Sequence, residues 1–244
     1  IWKNSIEYLN DATYYYSLWN GDYPYKHVTA VDGSISAGGG MEYPNVTVIG
    51  ESYDTFTLET TIMHEVGHNW FYGIFGTNER DHGWMDEGLN SMNENRYLEN
   101  KYPNRKLIGR DSLPKNNPIN WLDIAHHKHK ESYYVGYLIN ARKNKDQAIK
   151  EASANHTSFN YGSIIYGKTA IVFDYLMAYL GEELYDKCMH RYFEEWKFKH
   201  PQPEDLRKVF EKETNKDLSW FFDGIINTTD KIDYKIIGSQ KNLS

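Results

Sequence analysis

Cysteine is almost missing from this chain: Cys188 is the one example in 244 residues. An intrachain disulfide is therefore excluded, and so is a zinc site built on several thiolates. Cys188 falls in the helical stretch 185–192, where a packing role is expected rather than a reactive one. The lack of disulfides fits a cytosolic protein, and equally a bacterial periplasm or a cell surface. Long apolar runs are missing too. No stretch approaches the roughly 20 apolar residues that a spanning helix requires, so no membrane span is expected. Nor is there a basic excess: 27 Lys and Arg against 34 Asp and Glu give a formal net charge of -7. That balance argues against a nucleic-acid partner, which favours a basic stripe. It reads most simply as a solvated surface. No low-complexity linker or internal repeat divides the chain. No signal peptide opens it, and it starts on Ile1-Trp2-Lys3 rather than Met. We expect a piece of a longer protein, with flanking domains and with a compartment that these residues leave open, a periplasmic or extracellular parent included.

What is present is ordinary in bulk. Hydrophobic residues make up 40% and charged residues 25%, as in a soluble globular protein. Aromatics are dense at 16%, with 21 Tyr and 7 Trp, which suits a core and a groove lined with amphipathic rings. The length allows one large domain or two small ones. Residues 1–19 have helical spacing through Ile1, Trp2, Ile6, Leu9, Tyr14 and Leu18, and 20–24 is a turn. Residues 28–50, rich in Val, Ile, Thr and Gly, read as strands broken at 34–40. A helix is predicted over 57–74, capped by Asp54 or Thr55, with Leu58, Ile62, Val66 and Phe71 on related faces. A loop at 81–83 leads to a helix over 84–100. The region 102–161 gives weaker signals: Pro103, Pro114 and Pro118, then a charged helical patch at 141–154. Four helices are predicted beyond it, over 165–180, 182–196, 203–214 and 217–225. Residues 231–238 alternate like a strand and suggest a following β module in 231–244, leaving 1–230 as the main domain. Strands first and helices after is the order of an α+β fold.

The chemistry is carried by His64-Glu65-Val66-Gly67-His68. On a helix, positions i and i+4 share a face one turn apart, so two imidazoles can converge on one zinc. Glu65, about 100° round the helix, can flank the metal and act as general base without being a ligand. A catalytic zinc wants three protein ligands and one open position. Glu87, on the next predicted helix after 18 intervening residues, is the candidate for the third. The bland alternatives are two polar histidines on an exposed helix face and a first-turn acid favoured by the helix dipole.

His64-Glu65-x-x-His68 followed by Glu87 at this spacing resembles the M1 family of zinc aminopeptidases. Gly38-Gly39-Gly40-Met41-Glu42 resembles the family's G-x-M-E-N exopeptidase motif, Trp84-Met85-Asp86-Glu87-Gly88 its W-L-N/D-E-G, and Tyr166-Gly167-Lys168 its Y-x-K. These motifs run in the family's order from 38 to 168, and the general pattern continues through Trp220. The resemblance implies a thermolysin-like catalytic domain: a small N-terminal mixed sheet followed by a mostly helical part. It implies one Zn2+ per chain on His64, His68 and Glu87, with Glu65 and Tyr166 catalytic. It also implies peptide substrates with a free N-terminus, held by Gly39, Gly40, Met41 and Glu42, with Glu42 on the ammonium. Two departures stand out. Tyr43 occupies the place of the motif's Asn, and the family's N-terminal β domain is absent from this chain.

Two other readings stay open on these residues: an endopeptidase or other hydrolase on the same scaffold, and a non-catalytic protein-binding module. The cluster His126-His127-x-His129, interleaved with Lys128 and Lys130, reads as a solvated loop rather than a second metal site. Tyr161 fits a packing role at least as well as assistance at the oxyanion.

Overall fold

A computed structural model describes residues 1–35, 39–106 and 127–231. The first helix, α1 (Ser5–Asn20), ends at Gly21, whose φ of 111° suits glycine and whose missing side chain leaves room for the Phe193 ring. The Gly21 carbonyl accepts from Trp70 Nε1 at 2.7 Å, which ties the end of α1 to the core. Three short strands follow: β1 (Thr29–Asp32), β2 (Gly40–Met41) and β3 (Val46–Ile49). β3 is central, parallel to β1 and antiparallel to β2. The sheet is therefore mixed, and β2 is an edge strand among the described residues.

Helix α2 (Thr55–Gly67) begins where Asp54 accepts from the amides of Phe56 and Thr57, both at 2.9 Å, so Asp54 is the cap. Leu58, Ile62 and Val66 form a fully buried stripe on α2. Burial of each contributes on the order of 1.5–3 kcal/mol. The stripe fixes how the helix is rotated. Two residues beyond Ile62 and Val66, about 200° round the helix, come His64 and His68.

Four predicted helices contain wide turns in which an amide reaches back five residues. The helix predicted to reach 74 stops at Gly67 and gives way to such a turn over Asn69–Ile74. There the amides of Gly73 and Phe75 donate to the carbonyls of His68 and Trp70. Phe71 and Tyr72 leave helical geometry altogether, Tyr72 at φ 88°. Another wide turn, Trp84–Gly88, leads into α3 (Leu89–Lys101). A third, Tyr161–Lys168, joins the single turn α5 (Ser158–Asn160) to α6 (Thr169–Leu180), so this helical run starts before the predicted 165.

The charged patch at 141–154 is not the helix expected there. Helix α4 (His129–Ala141) precedes it and ends with Asn144 at φ 51° and the Lys145 amide donating to Asn140 O at 3.0 Å. Asn160 then holds the following loop through Lys145 O and Gln147 Oε1, each at 2.9 Å. Helices α7 (Glu182–Trp196) and α8 (Pro203–Thr214) have the predicted limits, and the last predicted helix is a wide turn, Trp220–Ile226. The strand predicted at 231–238, together with Gly38, Pro114, Pro118 and His126, lies outside the described residues, Lys231 excepted. The α+β arrangement, with a small mixed sheet ahead of a mostly helical body, is as expected.

Helix α3 is polar yet almost wholly buried from Leu89 to Leu98. Several of its polar side chains are tied to neighbouring helices, as burial favours. Asn93 accepts from Asn20, and Arg96 forks onto Asp186 at 2.5 and 2.8 Å. Cys188 is buried, and burial pushes its thiol up to about 12, in line with a packing role. Among the described residues no helix is long and apolar enough to cross a membrane.

Candidate metal centre

His64 and His68 project from α2 with their Nε2 atoms 3.2 Å apart. Glu87 Oε2, delivered by the turn Trp84–Gly88, lies 3.2 Å from His64 Nε2 and 3.3 Å from His68 Nε2. The three atoms make a nearly equilateral triangle. Tetrahedral zinc with bonds of about 2.0–2.1 Å spaces its ligand atoms roughly 3.3–3.4 Å apart. The triangle has the size of one face of that tetrahedron.

The far side of each ring is held by a carboxylate. His68 Nδ1 is 2.7 Å from Asp86 Oδ1, and His64 Nδ1 is 3.1 Å from Glu94 Oε2. With both Nδ1–H groups donating outward, the Nε2 lone pairs and a carboxylate oxygen all point at one spot. Three acceptors meeting there repel one another unless a cation lies between them. The donor set therefore fits a divalent metal.

Protons taken up by the imidazoles answer the same demand for positive charge between the acceptors. Burial opposes a charge on His64, but Glu87 and Glu94 outweigh it and raise His64 to about 10. Burial likewise opposes charge on His68, which Asp86 and Glu87 nonetheless lift well above the usual value. Burial pushes Glu87 up, yet the two imidazoles hold it far below the usual carboxylate range. Glu94, buried, is brought down to about 2 by His129 and His64. Asp86 is raised, chiefly by burial and against the pull of His68.

Glu65 is 6% exposed, and its Oε2 has no hydrogen-bond partner among the described residues. Burial raises it to about 7. It faces the same cleft, about 320 Å³ in volume, which is lined by Gly39, Gly40, Glu42, Thr60, Thr61, His64, Glu65, His68, Glu87, Glu94 and Tyr166. A Glu42 carboxylate oxygen lies within 4.8 Å of ligand-capable atoms of Glu65 and His68, and one likewise of Asp86 and Glu87. Met41 is exposed and is not among the residues lining the cleft. The Tyr166 ring stacks on His64 at 6.0 Å and 16°. Burial and the neighbouring Glu87 carboxylate push its hydroxyl pKa far up. Tyr161 packs edge-on against Tyr166 at 5.7 Å.

Small residues let these elements close in. A side chain at Gly67 would overlap Asn90 and the Tyr16 hydroxyl. Asn90 in turn accepts from Tyr16 and donates through Nδ2 to His64 O at 2.8 Å, which pins α2 to α3. A Cβ at Gly88 would meet Thr169 Cβ at 2.5 Å and Ile165 O at 2.6 Å, so the Glu87 and Tyr166 turns lie backbone to backbone.

Sequence reasoning brought together His64, Glu65, His68, Glu87, Glu42 and Tyr166, and did not single out Asp86 or Glu94. Glu94 follows Glu87 by seven residues, two helical turns, which places it on the same face and was the available signal. The expectation of a solvated loop fails for His129. It is the first residue of α4, and its Nε2 lies 3.1 Å from Glu94 Oε1.

Residues 5–225 match the model of the peptidase family M1 domain. The chain belongs to peptidase family M1. As a member it is a zinc-metallopeptidase-type domain. It is 26% identical over 159 residues to Aminopeptidase M1-B of rice, Oryza sativa subsp. japonica, covering 64% of this chain and 16% of that protein. It is 24% identical over 163 residues to Leucine aminopeptidase 2-1 of Meyerozyma guilliermondii, covering 66% and 25%. Its fold is similar to that of a mutant M1 zinc metallopeptidase from Deinococcus radiodurans, with a TM-score of 0.62 and 13% identity over 91% of this chain and 44% of the other. It is also similar to native yeast LTA4 hydrolase, with a TM-score of 0.60 and 16% identity over 89% and 34%. This M1 chain thus spans a quarter or less of the length of the rice and Meyerozyma aminopeptidases.

Proposed function

We propose that this M1 domain is the catalytic part of a zinc aminopeptidase that removes N-terminal residues from peptides. The observation that carries the reading is the triangle of His64 Nε2, His68 Nε2 and Glu87 Oε2, with Glu65, Glu42 and Tyr166 in the same cleft. His64, His68 and Glu87 would hold one Zn2+ per chain. When bound, zinc supplies a Lewis acid that polarises a carbonyl and acidifies water.

The chain's own groups do the rest. Glu65, raised to about 7, is matched to accept a proton from the attacking water near neutral pH and to return it to the leaving amine. Tyr166, kept protonated by its surroundings, donates to the oxygen that gains charge at the attacked carbon. Glu42 pairs with the substrate's ammonium, which sets the cut after one residue. The outer edge of β2, unpaired among the described residues, can pair with an extended peptide backbone. The greater length of the relatives supports a longer parent whose flanking domains complete the groove.

Glu42 separates this reading from an endopeptidase on the same scaffold. Hydrolysis of aminoacyl arylamides is expected, with no cleavage of their N-acetylated forms and a sharp loss in Glu42→Ala. Equal turnover of blocked and free substrates would overturn the aminopeptidase assignment.

A further inference from the structure

The histidine cluster after Pro118 is the sequence feature that the proposed chemistry leaves unused. Its two described members differ. His127 pairs with Glu131, one turn along the same segment and partly exposed. His129 reaches another helix: its Nε2 lies 3.1 Å from Glu94 Oε1. The other oxygen of that carboxylate, Oε2, lies 3.1 Å from His64 Nδ1. One buried carboxylate on α3 thus joins an imidazole on α4 to an imidazole on α2.

The link is built rather than incidental. Glu94 is 7% exposed, so solvent cannot substitute freely for a lost partner. His129 is fixed on two sides by rings, Phe56 at 6.4 Å and Tyr133 at 5.7 Å, both close to perpendicular. Tyr133 is the other α4 residue facing Glu94, and it also touches the Tyr166 turn, 3.5 Å from where a Cβ at Gly167 would sit. Helix α4 therefore braces both the carboxylate behind His64 and the turn that carries Tyr166. A carboxylate with both oxygens engaged cannot rotate away from the Nδ1–H it orients.

We propose that His129 is a positioning residue for the metal centre: by engaging Glu94 Oε1 it holds Oε2 on His64 Nδ1 and so keeps His64 Nε2 aimed at the metal. This inference rests on the zinc reading above. Partners behind metal-ligating histidines typically contribute about 10–100-fold in metal affinity. His129 acts one step further out and falls at the low end.

The test is zinc affinity by competition with a chromophoric chelator, a readout independent of turnover. His129→Phe keeps the ring between Phe56 and Tyr133 but removes the nitrogen; it should bind zinc about tenfold more weakly than the native chain. His129→Gln restores an N–H near the position of Nε2 and should stay within about threefold, and His127→Ala should be unchanged. If His129→Phe does not fold, His129→Ser, too short to reach Glu94, takes its place with the same expected loss. Native-like affinity in a folded variant lacking the nitrogen would overturn the role of His129 while leaving the zinc site intact. A native chain that binds no zinc would instead overturn the zinc reading, and this inference with it.

Discussion

The backbone of Gly40 lies directly against the side chain of Glu65: a Cβ at position 40 would overlap Cγ, Cδ and Oε1 of the glutamate. The glycine-rich motif on the edge strand thus has a use besides the substrate-strand access proposed above. It leaves room for the buried Glu65 carboxyl to point into the cleft. Gly40→Ala should displace Glu65 and lower kcat about 100-fold, since a misplacement near 1 Å at a reacting group costs that much. Zinc content should be unaltered. Steady-state kinetics with elemental analysis checks both halves, and full activity in Gly40→Ala would contradict the contact.

Burial of Glu65 has a consequence for stability. Its carboxyl ionises near 4.5 ordinarily and near 7 in the fold. Between those values the folded state binds more proton than the unfolded one, so stability falls as pH rises from 4.5 to 7. Above 7 the full penalty holds, about 3 kcal/mol. Glu65→Gln removes it. With a chelator present, urea unfolding should show Glu65→Gln more stable than the native chain at pH 8 by up to that amount. The difference should shrink through the window and vanish below pH ~4.5.

Tyr166 can be separated into ring and hydroxyl. Phe at this position keeps the stack on His64 and loses the donor. Tyr166→Phe should lower kcat about 100- to 1000-fold with little change in KM, because the donor acts on charge that develops only in the transition state. A rise in KM with kcat unchanged would assign Tyr166 to ground-state binding.

Gly88 stands where the Glu87 turn touches the Tyr166 turn. Gly88→Ala would press its methyl on Thr169 and on the Ile165 carbonyl, and backbone cannot yield as a flexible side chain can. A loss of about 1–3 kcal/mol is expected in denaturant unfolding. An unchanged midpoint would show that the two turns can part without cost.

Much of this was legible in the sequence, for local reasons. The limits of α7 and α8 follow from Gly181 before one and Pro203 at the start of the other. Asp54 marks the start of α2, and the stripe of Leu58, Ile62 and Val66 marks its buried face. The i, i+4 histidines needed only a helix to bring them together. The three wide turns next to His68, at Glu87 and at Tyr166 were not legible, because an amide that reaches back five residues leaves no periodic trace of its own. Such turns recur at functional sites, where they re-aim side chains. Asp86 sits beside Glu87 in sequence, but its contact with His68 exists only because the Trp84–Gly88 turn faces it there. His129 is farther still: its partner lies 35 residues back on another helix. The helix expected at 141–154 rested on charge pattern alone; the chain instead leaves α4 after Ala141 and turns at Asn144.

The central claim is a zinc site with Glu65 as base, and metal content measured beside turnover tests it most directly. The native chain and Glu65→Gln should each hold one zinc per chain by elemental analysis, and the variant should hydrolyse aminoacyl arylamides at least 1000-fold more slowly. A native chain with no zinc, or a Glu65→Gln variant as active as the native chain, would contradict the account.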